Sequence, residues 1–205
     1  MTTATLIPST YHISSNKLVV TDGENMLSDV SSTTYGSVQN TDESTSYYYL
    51  YLRGFDFSSI PARATVNSFT VKVKGRRDSG GYVASLYLVH GTSTIANATA
   101  TSFTTSNATR TFANGDLTWA DLVSYGSNFG IRVNCRRNKK TQVANWYVYG
   151  AEIDVDYDEP PSSELYVKQD GEWVPVSAAY SKSNGAWSAV NIDEAFEDGV
   201  NYVMA

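Results

Sequence analysis

The chain has 205 residues, 18% of them charged, and a formal net charge of −6. That length suits one good domain plus a small appendage. A single cysteine, Cys135, excludes an internal disulfide, and a chain rich in Ser, Thr, Asn, Gly and Tyr does not read as a helical protein. Fifteen tyrosines suit a β-rich surface, because tyrosine adds contact area and a hydroxyl at low entropic cost.

Charge divides the chain. Residues 1–158 hold 13 acidic and 13 basic side chains and are neutral, while residues 159–205 hold eight acids and two lysines. The whole net charge therefore lies in the tail. That balance disfavours nucleic acid and anionic membranes as partners and suits a basic protein partner.

The N-terminal run Met1-Thr-Thr-Ala-Thr-Leu6-Ile-Pro8 has neither a charged n-region nor a long apolar h-region. The expectation is no signal peptide, no membrane span and synthesis in a cytoplasm. The sequons at Asn97 and Asn107 are then chance matches.

Leu18–Thr21 predicts a first, weak strand. The following segment, 22–46, reads as a long loop. Its Asp22-Gly-Glu24-Asn25-x-x-x-Asp29 run offers oxygen ligands for a structural Ca²⁺. The spacing is not an EF-hand, and Asp and Asn in turns usually bond their own backbone, so the turn reading outweighs the metal one and no metal or cofactor is expected.

Alternation then takes over. Tyr47–Phe55 alternates aromatics and leucines. Val66–Lys74 is a clean period-2 strand, with Phe69, Val71 and Val73 inward and Thr70, Lys72 and Lys74 outward. Tyr82–His90 repeats the pattern, with Leu86, Leu88 and His90 on one face and Tyr87 and Val89 on the other. Weaker strands are expected near Thr94–Phe103 and Thr109–Phe112. Thr118-Trp-Ala-Asp121 is a capping box for one short helix. Phe129–Cys135 and Trp146–Tyr157 complete the strong strands, and Cys135 reads as a buried strand residue. Asp154, Asp156 and Asp158 share a face opposite Ile153, Val155 and Tyr157, a solvated or edge-protecting face.

About eight short strands with uneven connections predict an all-β fold: a jelly-roll-like two-sheet sandwich over residues 1–158. Glu159-Pro160-Pro161-Ser-Ser-Glu164 is an extended linker, because Pro-Pro fixes polyproline geometry. Residues 165–205 form a small β-hairpin tail. There Tyr166-Val-Lys168-Gln-Asp170-Gly171-Glu-Trp173 is repeated as Tyr180-Ser-Lys182-Ser-Asn184-Gly185-Ala-Trp187. Asp-Gly and Asn-Gly are strong hairpin signals, so two tandem hairpins forming a meander are expected. Such a unit is too small to bury a core alone. Tyr166, Trp173, Tyr180 and Trp187 are therefore candidate partner contacts for docking or homo-oligomerisation. A hairpin whose aromatics only cover each other is the competing reading.

No catalytic motif is visible. His12 and His90 lie outside any recognisable constellation, and the chain carries no nucleophile elbow or phosphate loop. No catalytic residue is expected. Two basic runs, Lys72–Arg77 and Arg132–Lys140, leave strand ends and would form one rim if the strands run alike; solvated loops are the plainer reading. Trp146 and Tyr147 are candidate glycan-stacking residues, against the commoner alternative of core and inter-strand cover.

Tyr48–Phe55, Val66–Lys74, Gly126–Arg132 and Tyr149–Val155 together resemble the β-sandwich domain of tailed-bacteriophage virion structural proteins, over about residues 4–158. The tail repeat is similar to short repeats that end phage tail and capsid accessory proteins. The resemblance implies a non-enzymatic particle component on head, collar or tail. It would be located in the virion, joined to other virion proteins and to copies of itself. The alternative is a carbohydrate-binding module for a bacterial surface glycan.

Limited proteolysis should cut near residues 159–164 and leave a stable N-terminal fragment, since the alternating core lies before the linker. A protected linker with an isolated, folded tail would contradict this division.

Overall fold

The computed structural model describes residues 1–61, 64–82, 84–95, 101–113 and 118–159, and the strand segments 166–169, 172–175, 179–183 and 186–190. The chain divides into two compact units, Met1–Pro160 and Pro161–Ala205.

The first unit is a two-sheet β-sandwich whose pairings within both sheets are antiparallel. Its strands are β1 (Thr2–Leu6), β2 (Thr10–Ile13), β3 (Leu18–Thr21), β4 (Gly36–Asn40), β5 (Tyr48–Arg53), β6 (Thr65–Arg77), β7 (Ala84–His90), β8 (Ser93–Thr94), β9 (Thr101–Phe103), β10 (Ala108–Ala113), β11 (Phe129–Cys135) and β12 (Ala144–Asp158). One sheet has the order β10-β6-β12-β4-β3, with β1 also paired to β12. The other has the order β2-β5-β11-β7-β8, with β9 also paired to β7. The chain passes repeatedly from one sheet to the other, as a jelly roll does.

The alternating apolar residues meet between the sheets. Phe69, Val71, Val73, Ile153 and Val155 come from one side; Leu50, Leu52, Leu86, Leu88, Ile131 and Val133 come from the other. At one end Phe129 collects Phe55, Phe57 and Phe69 at ring separations of 6.3, 5.6 and 5.7 Å. Toward the other end Trp146 lies fully buried. Cys135 is buried as well, and burial pushes its thiol pKa up. The short helix α1 (Trp119–Tyr125) starts on the expected capping box: Thr118 Oγ1 accepts from the Asp121 N–H, and Asp121 accepts from the Thr118 N–H.

Three strands were not expected from sequence: β1, β2 and β4. Each is short and rich in Thr, Ser or Asn, and gains its order from a stronger neighbour. β1 lies along Ile153–Tyr157 of β12, β4 along Ala144–Val148 of the same strand, and β2 along Leu50–Arg53 of β5. Of the expected strand Thr94–Phe103, the described parts are β8 and β9, and residues 96–100 lie outside the described residues.

The β6–β12 register shifts between Val148 and Gly150, and that shift sets which side chains of β12 reach the core. Before it Ala144, Trp146 and Val148 face inward; after it Ala151, Ile153, Val155 and Tyr157 do. A β-bulge thus flips the inward parity within a single strand. Gly150 fits there because a loop crosses close above it: a β-carbon would meet the backbone carbonyl oxygens of Asp29 and Ser28. The same loop accepts from the Ala151 N–H through Ser28 O at 2.9 Å.

The second unit contains two hairpins. β13 (Tyr166–Gln169) pairs with β14 (Glu172–Pro175), and β15 (Ala179–Ser183) pairs with β16 (Ala186–Val190). In sequence two residues separate the strands of each pair, Asp170-Gly171 and Asn184-Gly185, and these lie outside the described residues. Among the described residues they form separate two-stranded sheets rather than the expected continuous meander. Their registers repeat: Lys168 pairs with Trp173, and Lys182 pairs with Trp187.

The variant Gly150→Ala should destabilise the sandwich by about 1–3 kcal/mol, because backbone rather than a flexible side chain must move. Urea unfolding should show a lower midpoint with an unchanged slope; an unchanged midpoint would refute the close approach.

Candidate functional site

The outer face of the β2-β5-β11-β7 sheet is built from a period-2 pattern on three strands. With Leu50 and Leu52 turned into the core, Tyr49, Tyr51 and Arg53 of β5 must turn outward. By the same rule β11 presents Arg132 and Asn134, and β7 presents Tyr87. Register aligns them: His12, Tyr51, Arg132 and Tyr87 form one cross-strand row. Thr10, Arg53, Gly130 and Val89 form the next row. Tyr49 pairs with Asn134 on the other side.

Tyrosines and arginines interleave across this face. The Arg53 guanidinium lies 4.6 Å from the Tyr51 ring centre. Arg132 lies between Tyr49 and Tyr87, 4.9 Å from each ring. Arg136, just beyond β11, lies 5.0 Å from Tyr47 and 4.7 Å from Tyr82. Each such contact contributes about 0.5–1 kcal/mol at an exposed site. Together they hold the guanidiniums in fixed positions.

Hydrogen bonds complete the restraint, and every acceptor is neutral. Arg53 Nη2 donates to Gly91 O at 2.5 Å, and Arg132 donates to Thr92 O and Thr94 Oγ1, both at 3.0 Å. Arg136 Nε donates to Thr45 O at 2.8 Å, and its Nη1 donates to the Tyr47 hydroxyl at 3.1 Å. Among the described residues, no carboxylate lies within 4.0 Å of these three arginines. Among the described residues, Arg53 Nε, Arg132 Nε and Asn134 Oδ1 are buried without a hydrogen-bond partner, as are Arg77 Nε, Arg110 Nε and Trp146 Nε1 elsewhere. Gly130 makes room for Arg53, since a β-carbon there would lie 2.7 Å from Arg53 Cγ. Tyr51 is only 3% exposed under its neighbours, and this burial raises its phenol pKa. Tyr47 and Tyr82 stay open at 45% and 42%.

The opposite sheet handles its polar residues differently. Asp156 accepts from Thr3 Oγ1 and Ser68 Oγ, both at 2.5 Å, and Asp154 accepts from Thr5 Oγ1 at 2.7 Å. Lys72 bridges Glu152 at 2.8 Å and Asp154 at 2.5 Å, while Glu152 also accepts from the Val30 N–H. The expected acidic face is therefore a ladder of satisfied cross-strand bonds. Beyond the bulge, Arg76 sits 3.8 Å over Tyr147, and Tyr35 packs 5.2 Å from both Tyr147 and Tyr149.

Of the residues singled out from sequence, Tyr147 lies on this second outer face. Trp146 does not: it is 0% exposed within the core, because the bulged strand points it inward, and it is not available to a ligand at the surface. Tyr166, Trp173, Tyr180 and Trp187 occupy equivalent register positions in the two tail hairpins. The two basic runs do end at one edge, where Gly81 bridges Arg137. They scatter from there, and Arg137 is buried and donates to the carbonyls of Asp42 and Gln142. In the 22–29 loop, Asn25 donates to Tyr35 O and Asp29 accepts from the Ser31 N–H, as turn residues do. Among the described residues, no three His, Cys, Asp or Glu side chains gather as a metal set.

Sequence reasoning missed the Tyr–Arg face. Its signal was present in Tyr47-x-Tyr49-x-Tyr51-x-Arg53 and Arg132-x-Asn134-x-Arg136. What was hidden is that these runs lie side by side.

No family model matches the chain, and no curated protein matches it. Among solved structures it is similar to a Podospora anserina GH26-CBM35 beta-(1,4)-mannanase, with a TM-score of 0.33 and 11% identity. The match covers 82% of this chain and 30% of that one, so the chain spans less than a third of that structure's length. Among the described residues no helix is long and apolar enough to cross a membrane.

The polar contacts fix a pH response. Hydrogen bonds from Ser44 and Tyr48 lower the Asp42 pKa, and those from Ser68 and Thr3 lower that of Asp156. A depressed carboxyl stabilises the fold above its unfolded value of about 3.9 and loses that effect as pH falls through the folded value. Lys72 is raised by Asp154 and Glu152, so its contribution is complete below about 10.4 and is lost only in stronger alkali. The urea midpoint should hold steady from about pH 5 to 9 and drop below about pH 4. Asp156→Asn should flatten that acid drop; an unaltered drop would remove Asp156 from the account.

Proposed function

We propose that this chain is a non-enzymatic component of a larger assembly: the sandwich presents a recognition face, and the tandem hairpins attach it. The observation that carries the reading is the Tyr–Arg lattice, in which three arginines lie against five tyrosines with no carboxylate beside them among the described residues. Tyr and Arg are the residue types enriched where proteins make energetic contacts. Preorganisation lowers the entropic cost of binding. A sheet face is a broad platform, suited to an extended ligand rather than a small buried one.

The resemblance to tailed-bacteriophage virion proteins supplies the context. The assembly is then a virion, the ligand a glycan of the host surface, and the tail the attachment to neighbouring virion proteins or to further copies. The duplicated hairpin supports the tail's role, because a two-stranded unit is marginal in water without a neighbour.

The two roles should separate. Tyr49→Ala with Tyr87→Ala should leave incorporation into particles intact and abolish adhesion of the free protein to host cells. Trp173→Ala with Trp187→Ala should leave adhesion intact and abolish incorporation. If adhesion survives the first pair while the sandwich still melts normally, the face has no recognition role. If incorporation survives the second, the tail is not the attachment.

A further inference from the structure

We infer that the Tyr–Arg face takes an anionic glycan, one that carries carboxylate or phosphate groups along a polyhydroxylated chain. This rests on the recognition-face reading and gives it a ligand class. The first ground is charge. Among the described residues, Arg53, Arg132 and Arg136 each bond only neutral oxygens: backbone carbonyls of Gly91, Thr92 and Thr45, and hydroxyls of Thr94 and Tyr47. On the opposite sheet Lys72, by contrast, has two carboxylates at 2.8 and 2.5 Å. A face whose guanidiniums are fixed but lack an anion among the described residues is complementary to an anion from outside.

The second ground is the open aromatic rim. Tyr47 and Tyr82, the rings on which Arg136 rests, are 45% and 42% exposed. A sugar chain that brings an acidic group to Arg136 therefore meets exposed tyrosine rings beside it. A simple anion would use only the arginine.

The third ground separates a glycan from other polyanions. Arg132 and Arg136 lie four residues apart, about 13 Å along an extended chain. Along a duplex axis the phosphates of one strand recur roughly every 3.4 Å, a spacing that calls for a dense basic surface. Residues 1–158 balance 13 acids against 13 bases and offer no such surface. Sparse charge between tyrosine rings and hydroxyls suits a sugar chain with intermittent acidic groups.

The test uses the full chain and measures binding to polygalacturonate, a glycerol-phosphate polymer, neutral dextran, polyglutamate and oligothymidylate. Binding to polygalacturonate or to the glycerol-phosphate polymer, at least tenfold tighter than to dextran, is the expected result, and the two arms tell carboxylate from phosphate. Arg132→Gln and Arg136→Gln should each weaken it tenfold or more, while Lys140→Gln, an exposed loop charge, should not. Arg136→Gln is the decisive variant should Arg132→Gln lower the melting temperature. Equal binding to dextran, lost in Tyr49→Ala, would overturn the anionic class and leave the recognition face standing. Polyglutamate or oligothymidylate bound as tightly as the glycans would overturn the inference in favour of a protein or nucleic-acid partner. Binding to none of the five would overturn it outright, and cell adhesion unaffected by Tyr49→Ala with Tyr87→Ala would take the recognition face with it.

Discussion

The β6–β12 ladder is the constraint on which the sandwich depends. It joins twelve residue pairs between the two longest strands. Every other strand of that sheet reaches the ladder directly or through one neighbour: β10 on β6, β1 and β4 on β12, and β3 on β4. Strands such as β1, whose sequence is Thr-Thr-Ala-Thr-Leu, have little apolar content of their own. They are ordered because a template strand supplies the hydrogen bonds and the side-chain neighbours. The ladder also carries the bulge at Val148–Gly150, and that one extra residue decides which aromatics reach the surface. Without the shift, the parity that buries Trp146 would also bury Glu152 and Asp154 in the core and push Ile153 and Val155 outward.

Dependence on a template strand explains what was and was not legible in the sequence. Strong period-2 strands announced themselves because each has a buried face, and burial is what alternation records. Val66–Lys74 and Phe129–Cys135 are of this kind, and the capping box at Thr118 was equally plain because its bonds are local. β2 and β4 were missed because their order comes from a partner far along the chain. Trp146 was read as a surface candidate beside Tyr147 because both sit in one aromatic run. Only the strand's position between two sheets decides which of them is buried. The Tyr–Arg face was illegible for a related reason. Tyr51, Arg132 and Tyr87 are 81 and 45 residues apart in pairs, and the antiparallel register alone makes them one row.

The two outer faces use similar residues to different ends. On one, Lys72, Glu152, Asp154 and Asp156 meet Thr3, Thr5 and Ser68, and the bonds close upon themselves. That stretch of the face stabilises and repels edge pairing; beyond the bulge the same sheet carries Arg76 over Tyr147. On the other, guanidiniums rest on rings and carbonyls. Those contacts fix position without neutralising charge. A cation stacked on an aromatic ring keeps most of its attraction for an anion, because the ring supplies only a quadrupole. The two stretches differ in how far their charges are paired, not in which residue types are present.

Net charge bears on the same point. The sandwich segment is neutral, so beyond a screening length of about 8 Å at physiological salt it neither draws in nor repels a polyanion. Nonspecific adsorption to nucleic acid relies on a broad positive field, which a neutral segment does not supply. Contact with the three arginines is then decided at close range, where geometry discriminates. On the proposed reading, a ligand would be selected by how well its acidic groups meet these guanidiniums and its sugar rings meet the exposed tyrosines. Local positive charge within a neutral body thus trades long-range capture for selectivity, and that trade suits a module that can gain its avidity from multiple copies in an assembly.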